Sequence, residues 1–151
     1  MDRKIKGFSL IELLVVVVIM IIILSIGIPG FLKWIVKYRI ESDTTTIYSF
    51  LQDQRVKAFA EKINLNIDVL DNEICSKCDT NDSTCKSLYS TGNIKCEYLN
   101  YKFKANKKIS ISERGTFSRG TIYYPSKNDA KYDCVKVGNI NIRMEKCNGT
   151  P

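Results

Sequence analysis

The residues that could do chemistry here are six cysteines, a glutamate inside a long apolar run, and a scatter of lysines and arginines. Histidine is absent, which excludes Ser-His and Cys-His nucleophile pairs, histidine general bases and histidine-ligated metals. Acidic residues fall singly rather than as paired carboxylates, and there is no nucleophile elbow and no phosphate-binding loop. The sequence therefore reads as non-enzymatic and free of a cofactor.

Four cysteines, Cys75, Cys78, Cys85 and Cys96, lie in a polar segment at 71–96, which reads as a loop; Cys134 and Cys147 flank the last hairpin. A small body outside the cytoplasm buries proportionally little surface and gains from covalent ties. Three disulfides are the favoured reading. Pairing of Cys134 with Cys147 closes the C-terminal hairpin, while three pairings remain open among the other four. The alternatives are free thiols and a four-cysteine zinc site, since Cys75-x-x-Cys78 has knuckle spacing, although a second Cys-x-x-Cys is missing.

The elements that must position these residues differ sharply along the chain. Of the 29 residues from 8 to 36, 22 are apolar, against 45 of the other 122, so an oily segment is joined to a polar body. About 20 such residues span a bilayer as a helix. Arg3, Lys4 and Lys6 precede it and orient the body away from the cytoplasm, as a single-pass protein of the inner membrane. No Ala-x-Ala cleavage site follows the apolar run, which argues against an ordinary secretory signal. Glu12 is the anomaly. An ionised side chain at a bilayer centre costs at least ~2.5–3.5 kcal/mol, so a carboxylate in such a helix is a candidate functional residue.

Gly7-Phe8-Ser9-Leu10-Ile11-Glu12-Leu13-Leu14 resembles the processing and N-methylation motif of type IV pilins and type II secretion pseudopilins. The resemblance implies that residues 1–7 are a leader, cut between Gly7 and Phe8 by a prepilin peptidase, and that the new Phe8 amine is methylated. It implies that Glu12 pairs with the Phe8 amine of a neighbouring subunit and that the helix kinks at Pro29. It also implies other pilins or pseudopilins as partners, with an assembly platform and an ATPase acting indirectly. Loss of the leader removes three cations and Asp2, lowering the formal charge from +7 to +5. It also frees an α-amine, which ordinarily titrates near ~8.

Beyond Lys33 the helix becomes amphipathic, a half at 37–62 with Ile40, Ile47, Leu51 and Ala58 on one stripe and Phe50 and Phe59 alongside. Lys37, Arg39, Glu41, Asp43, Asp53, Lys57 and Glu61 fall mostly elsewhere, and Gln54, Arg55 and Lys57 read as a solvated face. Pro29 and Gly30 predict a kink or local melting at 28–30. In the body at 63–151 the period changes to two, with strands expected over 63–69, 98–104, 108–112, 121–124, 133–137 and 139–144. Turns are expected at Arg114-Gly115, Arg119-Gly120, 125–128 and Gly138-Asn139. A long helix followed by short strands is an α+β fold with an antiparallel sheet packed on the helix. That order is similar to the GspH/FimT branch of minor pilins and pseudopilins, which implies a structural subunit of a filament that assists protein secretion.

The alternative function is DNA capture in natural transformation. Some FimT-like pilins carry a Gly-Arg-x-Arg segment for it, and here the corresponding stretch is residues 138–143, ending in Arg143, with asparagine where the first arginine would stand. Lys102, Lys104, Lys107, Lys108, Arg114, Arg119 and Lys146 add basic groups, with Tyr98 and Tyr101 available for stacking. The plainer explanation of these residues is a solvated basic surface.

Overall fold

A computed structural model describes residues 8–89 and 93–151. The chain divides after Val36 into two compact units. One helix, α1 (Leu10–Glu61), begins in the first and ends in the second.

In the first unit α1 opens with the Leu13 amide donating to the Ser9 carbonyl at 3.2 Å. Pro29 lies inside α1, which continues through residues 28–30, so the melting expected there does not occur. Pro29 brings no N–H for the Ser25 carbonyl, and the Ser25 hydroxyl donates to the Ile22 carbonyl at 2.7 Å. Phe31 and Trp34 stack one turn apart, ring centroids 6.1 Å from one another.

In the second unit the predicted stripe is the core face: Ile40, Ile47, Leu51 and Ala58 are fully buried, with Phe50 beside them. Phe59 is not, being 56% exposed; one residue beyond Ala58 is ~100° further round the helix. The Lys62 ammonium covers its ring at 4.0 Å. Lys62 adopts the left-handed conformation (φ 56), and the Ile63 amide reaches back to the Ala58 carbonyl at 3.1 Å. This is a Schellman ending with lysine where glycine is usual.

Among the described residues eight strands follow: β1 (Leu65–Leu70), β2 (Glu73–Cys78), β3 (Asn93–Tyr98), β4 (Lys104–Ala105), β5 (Ile109–Ile111), β6 (Gly120–Tyr123), β7 (Cys134–Val137) and β8 (Ile142–Glu145), with a short helix α2 (Ser83–Leu88) between β2 and β3. All pairings are antiparallel, and the strands divide between two four-stranded sheets, β3-β2-β1-β5 and β4-β6-β7-β8. The β4–β6 ladder stops at Asn106, whose side-chain oxygen accepts the Thr121 amide at 2.8 Å. The chain then crosses to the other sheet as β5. Ile67, Ile74, Ile109, Ile111, Ile122 and Val135 join the stripe of α1 in one core.

Several expectations need correction. The 71–96 segment is not a loop: Asp71-Asn72 turns β1 into β2, with Leu70 opposite Glu73. Asp71 holds φ 46, a conformation aspartate and asparagine tolerate. Residues 98–104 are not one strand: Tyr98 ends β3, Lys104 begins β4, and 99–103 connect them. Asp43, expected on the solvated side of α1, is buried (2% exposed) and takes their amides instead: Oδ1 accepts Asn100 N–H at 3.1 Å and its side-chain NH2 at 2.7 Å, and Oδ2 accepts Tyr101 N–H at 2.9 Å. Backbone donors spent on a helix carboxylate are not available to a ladder. Gln54 is likewise buried, not solvated. Arg55 donates to the Ile140 carbonyl at 2.8 Å and lies over Phe117. Gly120 begins β6 rather than ending a turn, and 139–141 are connection, not strand.

Candidate functional sites

Gly7 lies outside the described residues. Phe8 is 78% exposed, and Glu12 sits in the first turn of α1, where free backbone N–H groups favour a negative charge. Around and beyond it, every large apolar side chain from Leu10 to Leu24 is exposed, on all sides of the helix. Burying one such side chain is worth ~1.5–3 kcal/mol, so this surface is suited to lipid or to other helices and unsuited to water. By length and composition α1 can cross a membrane.

All six cysteines are paired: Cys75–Cys96, Cys78–Cys85 and Cys134–Cys147. Cys75 and Cys96 are direct register partners across β2 and β3, with Cα atoms 4.1 Å apart. Cys78 anchors the end of β2 to Cys85 of α2. Asp82 caps α2 by accepting the Cys85 amide at 3.0 Å, and its second oxygen accepts Asn64 N–H at 2.6 Å. These bonds, the Cys85 amide foremost, hold its carboxyl below the usual range. The zinc alternative falls, because disulfide sulfurs offer no thiolate to a metal.

The tail closed by Cys134–Cys147 has a second lock. Asp133, fully buried, accepts the amides of Cys147 at 2.5 Å and Asn148 at 3.0 Å. The Lys146 ammonium donates to the Asn128 carbonyl at 2.6 Å, the Asn128 side-chain oxygen at 3.0 Å and the Ala130 carbonyl at 2.7 Å, with an Asp133 oxygen at 3.7 Å.

The other basic residues are distributed over both sheets. Lys102 pairs with Asp71 at 3.1 Å. Lys104, Lys108 and Arg114 are exposed. Tyr98 is exposed on β3, and Tyr101 meets Tyr124 edge-on at 5.7 Å. Lys107, Arg119 and Arg143 do converge, joined by Lys136, around a cleft of about 310 Å³. Lys136 was not anticipated. Its signal was the alternation of Cys134-Val135-Lys136-Val137, which turns that lysine away from the face of Val135 and Val137. Glu145 accepts from Lys136 at 2.9 Å and lies 3.7 Å from Arg143; the Lys136 hydrogen bond leads in holding its carboxyl below the usual range.

An exposed apolar helix carrying one early carboxylate, followed by antiparallel sheets and three disulfides, supports a type IV pilin-like protein. A family model of the prokaryotic N-terminal methylation motif matches residues 2–28, the stretch that holds Gly7, Phe8 and Glu12. The motif implies prepilin-peptidase processing and pilin assembly in general. No curated protein and no solved structure matches the chain.

Proposed function

We propose that the chain is a minor pilin or pseudopilin of the GspH/FimT kind, a structural subunit of a pilus or secretion pseudopilus. It enters the inner membrane through residues 8–36, with the body outside the cytoplasm. A prepilin peptidase cuts between Gly7 and Phe8, and the Phe8 amine is methylated. An assembly platform driven by a separate ATPase then draws the subunit into a filament, where lipid contacts are exchanged for contacts with neighbouring helices. Glu12 pairs there with the Phe8 amine of the next subunit and sets the axial register. Two charges costly alone in an oily bundle are tolerated together, and removal of one strands the other.

The supporting observation is the first-turn carboxylate of a helix whose apolar side chains from Leu10 to Leu24 face outward all round. Mass spectrometry of the native chain is the direct test: it should begin at a methylated Phe8. Gly7→Glu should remain uncut. Glu12→Ala should be cut yet enter filaments at least tenfold less well. Normal assembly of Glu12→Ala would falsify the pairing, and a working complex that retains Met1–Gly7 would sink the filament reading.

A further inference from the structure

The outer face of the second sheet carries a cluster of cations around a cleft. Thr121 is the register partner of Lys136, and Lys136 of Arg143, so the three stand in one row across β6, β7 and β8 on the same face. Val137 and Ile142, their neighbours along the strands, point to the opposite side and are buried. Lys107 and Arg119 complete the rim of the cleft. Arg119 gives its Nε–H to Asn139 at 3.2 Å, using one of five N–H donors. Asn106 must offer its oxygen to the Thr121 amide, which fixes the amide orientation and leaves its NH2 as a donor. Gly138 closes one end, where an added Cβ would collide with the Asn141 side chain.

The composition of the wall is selective. Four cations, two asparagines and a threonine line it, with Gly120, Val137 and Gly138 between them; no aromatic ring and no carboxylate is among the described lining residues. Cations with amide and hydroxyl donors are what phosphate oxygens take. Single-stranded nucleic acid is ordinarily held by stacking its bases on aromatic rings, and this wall has none to offer. The volume lies at the small end of ligand sites, which suits a narrow flexible chain better than a duplex. Glu145 withholds part of the charge by engaging Lys136 and Arg143 from the side.

We propose that this cleft binds a flexible, base-free chain of phosphate groups, gripped through its non-bridging oxygens by Lys107, Arg119, Lys136 and Arg143. Inorganic polyphosphate and a polyol-phosphate surface polymer share that chemistry.

The test uses the full chain in detergent micelles, titrated with short inorganic polyphosphate, with poly(glycerol phosphate) and with single-stranded DNA of equal phosphate number. The base-free chains should bind, and whichever binds more tightly identifies the source. The Lys136→Ala/Arg143→Ala double variant, whose side chains are exposed and whose melt should match the parent's, should lose roughly tenfold or more in affinity. Its log affinity should also fall less steeply with log salt, by about one unit of slope per cation removed. Glu145→Gln should bind severalfold tighter, which damage to the sheet would not produce. Equal binding by parent and double variant, or none at low salt, overturns the proposal. DNA bound more than tenfold tighter than both base-free chains overturns it as well, in favour of a nucleic-acid site.

Discussion

Residues 8–36 and residues 37–151 treat the same kinds of side chain in opposite ways. In the first unit leucine, isoleucine and valine face outward all round the helix, and no cysteine is present. In the second, equivalent side chains are hidden between a helix stripe and two sheets, and three disulfides tie the strands. One unit satisfies its chemistry internally; the other requires a surrounding medium of lipid or like helices. Damage to the second should therefore appear as lost stability, and damage to the first as lost assembly with the body's melt unchanged.

That contrast can be broken or sharpened by measurement. A large effect on the body should come from replacing Cys134 and Cys147 together with alanine, which removes a 13-residue closure worth about 3 kcal/mol; denaturant melts read the loss. Asp43→Ala should cost about 2–4 kcal/mol, because it leaves the Asn100 and Tyr101 amides without their partner. Both variants should leave leader processing intact, since neither alters residues 1–12.

Asp82 offers a test by pH. Its folded pKa is lowered, chiefly by the Cys85 amide, so its contribution is fully present above the ordinary aspartate value, ~3.9. It is lost as pH falls through the lower folded value. Melting from pH 6 to pH 2 should show this loss in the parent and less of it in Asp82→Asn; identical profiles would count against the cap. Asp82→Ala should cost about 1 kcal/mol at neutral pH. The smallest effect is a gain. Lys62→Gly should relieve the left-handed backbone at the end of α1 and stabilise the body by up to ~1 kcal/mol, less whatever the Lys62–Phe59 contact contributes.

Local pattern carried the sequence reading a long way. The stripe of Ile40, Ile47, Leu51 and Ala58, the Cys134–Cys147 closure and the methylation motif are all set by residues near one another in the chain. The failures share a cause. Asp43 was read as solvated because aspartate usually is, and its burial rests on donors 57 and 58 residues away. Those same bonds keep 99–103 out of the strands, so one distant contact explains two errors. The hairpin at Asp71-Asn72 was missed for another reason: the polar composition of 71–96 outweighed a two-residue turn signal between alternating segments. The basic cleft was half legible. Arg143, Arg119 and Lys107 were candidates, but only the register of β6, β7 and β8 brings Lys136 between them.

The Lys146 side chain has a consequence for the conditions under which the molecule works. Its ammonium occupies a nest of oxygens from Asn128, Ala130 and Asp133, the type of ligand set with which hard divalent ions are usually held. Here the positive centre is built into the polypeptide and cannot be washed out. The C-terminal coil should therefore keep its shape in chelating or ion-poor surroundings, free of any dependence on what the outside medium supplies.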